Sequence, residues 1–195
     1  MNAADHDMGP DAILVPLGIL EVSRGTDQIG QLWIGFGDSR ETSDFIADGL
    51  QTWWSERQSC HSDVRRLQIE LDNGPEINSS RTQFMKRLVE FVDSSRLEIE
   101  LLYFPPYHSK YNPIERCWGV LEQHWNGTLL TSIDTAINWA ATMTWRGAHP
   151  LVHRLHGTYE RGVRVTPIAF RGIASRLTRS ELLPKWSLVI TPTNR

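Results

Sequence analysis

One alternation in this chain constrains the fold more than any other feature. Leu67, Ile69 and Leu71 alternate with Gln68 and Glu70, the period of a strand with one buried face. Asp72 follows directly, and Asn73-Gly74-Pro75 then turns the chain. A later stretch complements it. Pro105-Pro106 keeps the backbone extended, and Asn112-Pro113-Ile114-Glu115 opens a helix. Asn112 suits the N-cap and Pro113 the first helical position. One carboxylate thus ends a strand and another sits in the first turn of a later helix, where the helix dipole favours negative charge. Together they make a pair of hard oxygen ligands for a divalent cation. The same residues have plainer uses: Asp-Asn-Gly-Pro is ordinary turn chemistry, and Asn112-x-x-Glu115 is a capping-box pattern.

Around these stretches the pattern alternates between strand and helix. Residues 12–22 and 29–36 read as a hairpin, with Pro16 and Gly18 marking an edge position or a bulge in the first strand. Thr42 or Ser43 caps a helix to about Gln58, with Phe45, Ile46, Leu50, Trp53 and Trp54 as its buried stripe. Ser80-x-x-Gln83 reads as a capping box. It opens a helix with Phe84, Leu88, Phe91 and Val92 inward and Lys86, Arg87 and Glu90 outward. Residues 97–104 alternate as a further strand before the Pro-Pro loop. The rest reads as helical: a segment capped by Thr131 or Ser132, a helix over 150–159, and one over 167–177. A terminal extended segment spans 185–190. The order predicts an α/β fold, with residues 1–130 as the core and 131–195 as a helical, basic C-terminal extension of the same domain.

Long words in the chain resemble a known family. LDNGPE (71–76), SSRTQFMKRLVEF (79–91), PPYHSKYNPIERCWGVLEQHWNGTLL (105–130) and MTWRG (143–147) are similar to the catalytic core of bacterial insertion-sequence transposases, closest to the ISAzo type. These are DDE enzymes with an RNase H-like fold, a mixed sheet flanked by helices. The resemblance implies metal-dependent DNA strand cleavage and transfer in transposition, with Mg²⁺ as cofactor and Mn²⁺ as a substitute. It also implies DNA (element ends and target) as partner, and a homo-oligomer for the full-length protein. By the same resemblance Asp72 is the second catalytic aspartate and Glu115 the catalytic glutamate, both metal ligands. The first catalytic aspartate belongs on the first strand of such cores, and no apolar strand of this sequence carries one. The expectation is a sheet lacking that strand, with Asp5 and Asp7 as the fallback carboxylates and little strand transfer from residues 1–195 alone. The competing reading is a catalytically dead remnant that binds DNA or a full-length transposase; an RNase H-like nuclease acting outside transposition is a third.

Other residues sort around this reading. Lys110 and Arg116 are candidates for phosphate contacts, and Tyr107, His108 and Tyr111 for stacking on bases, with loop packing as the alternative for these aromatics. His149, His153 and His156 would share a face if helical, a row resembling zinc ligands, although Pro150 disfavours helix at His149. Cys60 and Cys117 are the only cysteines, which excludes a disulfide framework and fits a reducing cytoplasm. Residues 2–10 are polar and acidic rather than leader-like, and no apolar run is long enough to span a membrane. Residues 146–195 hold nine Lys/Arg against two Glu, a net of +7, while residues 1–145 carry 11 Lys/Arg against 21 Asp/Glu, a net of −10. An acidic body with a basic end fits an acid-lined metal site beside a phosphate-binding surface, or simply solvated faces.

Overall fold

The computed structural model describes residues 13–22, 29–105, 108 and 111–193. Val15–Val22 (β1) and Ile29–Gly37 (β2) form the expected antiparallel pair, with an irregularity between Leu20 and Val22. Leu32, Ile34 and Phe36 are buried on one face of β2 and Trp33 on the other, so this strand is covered on both sides. Helix α1 runs Ser43–Arg57, and Thr42 Oγ1 accepts from the Phe45 amide at 3.2 Å. Phe45, Leu50, Trp53 and Trp54 are buried along it, and Ile46 is half-buried. A short 3-10 turn, Gln58–His61, leads into Arg66–Leu71 (β3).

Helix α2 (Thr82–Ser95) and strand β4 (Glu98–Tyr103) follow. β4 runs parallel to β3, with Leu67 opposite Ile99 and Leu71 opposite Tyr103. The Ser80-x-x-Gln83 box does not form. The Ser80 amide and hydroxyl both donate to Asn78 Oδ1, at 3.1 and 2.7 Å, and Gln83 Nε2 donates to Asp44 Oδ1 on α1 at 2.8 Å. A local Asx turn and a tertiary partner therefore outcompete the cap, and α2 starts behind Arg81 with no side-chain cap. Arg87, expected to face outward, bridges to α1 through Asp44 and Asp48.

The largest departure lies after α3 (Pro113–Trp125) and α4 (Ile133–Ala141), both of which form where the sequence places them. The expected helix over 150–159 is instead a strand, Leu151–Leu155 (β5), running parallel to β2 with Trp33 opposite Leu151 and Gly37 opposite Leu155. A segment hemmed by Pro150 and Gly157 is too short to sustain a helix, whereas pairing with β2 satisfies its backbone. Helix α5 covers Pro167–Ala174 only. Leu177–Arg179 (β6) then pairs with Ser187–Ile190 (β7), and β7 pairs antiparallel with β4. The C-terminal part is therefore not a helical extension. Among the described residues it supplies α4, α5 and three strands.

The strands make two mixed sheets rather than one, in the orders β1-β2-β5 and β3-β4-β7-β6. The later strands close one side of each. β1 and β3 remain outer strands, each with one side unpaired among the described residues. Val15, Leu17 and Ile19 of β1 nevertheless join Leu67, Ile69 and Leu71 of β3 in one hydrophobic cluster with α1 and α2. A second cluster lies on the other face of β2, where Leu32, Ile34 and Phe36 meet Cys117 and Leu121 of α3 and Ala140 and Met143.

Candidate active site

Asp72 leaves the end of β3 with its side chain exposed, and no described residue hydrogen-bonds or pairs with its carboxylate. The loop behind it is firmly held. Glu76 accepts from the Ser43 amide at 3.1 Å and hydroxyl at 3.0 Å, and pairs with Arg81 at 3.0 Å. Burial works to raise the Glu76 pKa, but the Ser43 and Arg81 hydrogen bonds outweigh it and hold the carboxyl below its usual value. The Tyr103 hydroxyl donates to Ile77 O at 2.8 Å, and the Ser79 hydroxyl to Lys185 O at 2.9 Å. The turn chemistry and the exposed carboxylate therefore coexist.

Glu115 sits in the first turn of α3, as the sequence indicates. Asn112 Oδ1 accepts from the Ile114 amide at 3.3 Å, and Pro113 opens the helix. The Glu115 side chain does not reach back to close a capping box; it is exposed and has no partner among the described residues. The helix is set by the opposite face, where Cys117 and Leu121 are buried. Burial pushes the Cys117 thiol up to about 11, so this cysteine is a packing group. A close approach also fixes α3: a Cβ on Gly18 of β1 would lie 2.6 Å from Trp118 and 2.9 Å from Ile114. Glycine at 18 is what lets α3 lie on β1.

The two carboxylates belong to segments that leave the second sheet side by side. The Phe104 amide donates to Leu71 O at 2.8 Å, so the chain leading to Glu115 departs from β4 next to the residue before Asp72. Among the described residues no group of three or more His, Cys, Asp or Glu side chains gathers to hold a metal. A profile described as "Rhodopirellula transposase DDE domain" matches residues 1–192. The chain belongs to this DDE transposase family. Neither the curated proteins nor the solved structures yielded a match.

The remaining candidates of this transposase domain fall in different places. His108 and Tyr111 stack on each other, with ring centroids 5.7 Å apart. Arg116 is exposed beside Glu115. Tyr107, Lys110, Asp5 and Asp7 lie outside the described residues. The histidine row does not converge, because its segment is a strand. His149 Nδ1 lies 2.7 Å from Met143 O, His153 stacks on Trp33 and faces Glu56 at 3.1 Å, and His156 is exposed.

The basic end of the transposase domain is partly spent on holding itself to the acidic body. Arg154 pairs with Asp38 and Asp134, and Arg176 with Asp93. Sequence reading passed over the residues facing the loop after Asp72. Asn73, Asn78, Ser79 and Ser80 line a cavity of about 310 Å³ with Lys185 and Trp186. The polar run 78–80 was a signal for it, but Lys185 is more than a hundred positions away and only β7 brings it there. No described helix is long and apolar enough to cross a membrane.

Proposed function

We propose that the chain is the catalytic part of an insertion-sequence transposase with an RNase H-like core, performing metal-dependent DNA strand cleavage and transfer. The observation that carries this reading is the pairing of family membership with two exposed, unpartnered carboxylates, Asp72 at a strand end and Glu115 in a helix's first turn. Both are hard oxygen donors left without an internal cation, the donor chemistry that Mg²⁺ or Mn²⁺ takes. A bound divalent cation supplies Lewis-acid stabilisation of the charge that builds on the phosphoryl and leaving oxygens. The protein's share is to hold both carboxylates in position: the first turn of α3 carries Glu115, and the tied loop holds Asp72 in place. Arg116, with Lys110, Tyr107, His108 and Tyr111 from the adjoining loop, is assigned to the DNA.

A third carboxylate completes such a site, and we assign it to a strand that pairs along the open sides of β1 and β3, where both neighbours already contribute to one core. The enzyme is expected to work as a homo-oligomer on element ends and target DNA. The test combines binding and chemistry. Mn²⁺ titration followed by electron paramagnetic resonance should show a weak site that Asp72→Asn and Glu115→Gln each remove. Nicking of DNA carrying the element ends, with Mg²⁺, should fall to background in both variants. Mn²⁺ binding indifferent to both substitutions would sink the assignment. DNA binding without nicking by the wild-type chain would instead identify a catalytically dead, DNA-binding remnant.

A further inference from the structure

We propose that the cavity between the Asp72 loop and the Lys185–Trp186 segment is a DNA-backbone subsite, in which Lys185 and Asn73 hold a phosphodiester next to the reacting strand. This rests on reading Asp72 as catalytic. The cavity measures about 310 Å³ and is lined by Asn73, Asn78, Ser79, Ser80, Lys185 and Trp186, five polar side chains and one tryptophan. Its donors are unequally engaged. The Asn78 amide nitrogen donates to Gly74 O and Pro75 O, and its oxygen accepts from Ser80, so Asn78 builds the wall. The Asn73 amide and the Lys185 ammonium have no partner among the described residues, and both are exposed.

A second cation reinforces the first. Arg179 donates to Ser79 O at 2.6 Å and to Pro184 O at 3.0 Å, and no described carboxylate pairs with it. Its charge is therefore fixed beside Ser79 and left uncompensated. Two such cations beside an Asn/Ser-lined recess suit an anion carrying several acceptor oxygens, which a sugar–phosphate backbone supplies. The position is built rather than incidental. Ser79 bonds Lys185 O at 2.9 Å, and the Tyr103 amide donates to Trp186 O at 2.9 Å, so the C-terminal segment is tied to the Asp72 loop and to β4. Asn73 adjoins Asp72 in the chain, which places a bound phosphodiester one residue from the catalytic carboxylate.

The chain has only three lysines, Lys86, Lys110 and Lys185, which makes the test direct. A fluorescein-labelled DNA duplex with a single-stranded overhang is bound to the full chain in EDTA, so that no metal contributes. Lysines are then acetylated with and without DNA and read by mass spectrometry. DNA should protect Lys185 and leave Lys86, paired with Glu90, reactive. In anisotropy titrations Lys185→Gln should weaken binding several-fold and lower the salt slope by about one, while Lys86→Gln leaves both unchanged. Protection of Lys110 alone, an unchanged Kd in Lys185→Gln, or no binding by the wild-type chain would each overturn the subsite. Because EDTA removes the metal, loss of the subsite and loss of the catalytic reading give different results: the first shows in binding, the second in Mn²⁺ binding and nicking.

Discussion

Asp72 and Glu115 reach the surface from two different hydrophobic clusters. Asp72 ends a strand of the second sheet, and Leu71 before it packs into the larger cluster with α1 and α2. Its loop is held by Ser43, Arg81, Tyr103 and the C-terminal segment. Glu115 rides on α3, which is tied to the first sheet by the smaller cluster and by the Gly18–Trp118 contact. The strand carrying Asp72 is thus held by polar bonds around its loop as well as by packing, while the Glu115 end of α3 is placed by how well one helix face fits β1 and β2; the hydrogen bonds that tie α3 to α4, from His124 to Trp139 and Thr142, lie at its other end. Relative placement of the two carboxylates is then a property of how the sheets pack together, and the helix side is the easier of the two to disturb.

Substitutions in each cluster should separate these roles. Leu88 has no exposed surface in the larger cluster, so Leu88→Ala should cost about 2–5 kcal/mol in urea unfolding, disturbing the Asp72 side along with the whole fold. A gentler probe is Gly18→Ala, which drives a methyl into Trp118 and Ile114. It should cost about 1–3 kcal/mol as overpacking and lower nicking by more than its stability loss explains, because α3 must shift. If nicking survives Gly18→Ala intact, α3 is not held where β1 places it.

The helix caps sharpen the contrast at smaller cost. Asn112→Ala and Thr42→Ala each remove a side-chain acceptor from a helix start, with an expected loss of about 0.5–2 kcal/mol each in thermal or urea unfolding. Only Asn112→Ala should also weaken Mn²⁺ binding, since it frays the turn that carries Glu115. Equal effects of both caps on Mn²⁺ would mean that the turn does not position the ligand.

The smallest effect is electrostatic. Hydrogen bonds from Arg176 hold the Asp93 pKa down to about 2, against a usual 3.8. A depressed folded-state pKa gives stability that is present above the unfolded value and lost as pH falls from about 4 towards 2. Asp93 is 41% exposed, so solvent screening keeps the contribution below about 1 kcal/mol. Acid titration of stability should therefore be slightly shallower over that window in Asp93→Asn than in the wild type, and equal slopes would show that the pair adds nothing in solution.

Local physics made much of this legible in advance. The β1–β2 hairpin, α1 with its Thr42 cap, β3, β4 and the Asn112-Pro113 start of α3 follow from periodicity, capping and turn chemistry that involve near neighbours alone. The two carboxylates were legible for the same reason: their positions at a strand end and a helix start are set by a few residues on either side. The Ser80 cap failed because Asn78 takes the Ser80 amide and hydroxyl while Asp44 draws off the Gln83 side chain, and only the first of those competitors is local. Residues 150–159 failed because a short segment without a decisive period takes its conformation from whatever partner it finds.

Sequence by itself determined which stretches are helix or strand as far as α4, and which two carboxylates the family resemblance singles out. Tertiary structure decided the rest. It turned Leu151–Leu155 into a strand and chose β4 as the partner of the extended segment Ser187–Ile190, because unpaired backbone on β2 and β4 offered hydrogen bonds that no local pattern announces. It dispersed the three histidines, spent Arg154 and Arg176 on internal ion pairs, and carried Lys185 to the loop of Asp72. These outcomes depend on contacts between residues far apart in the chain, whose free energy exists only once the sheets have formed.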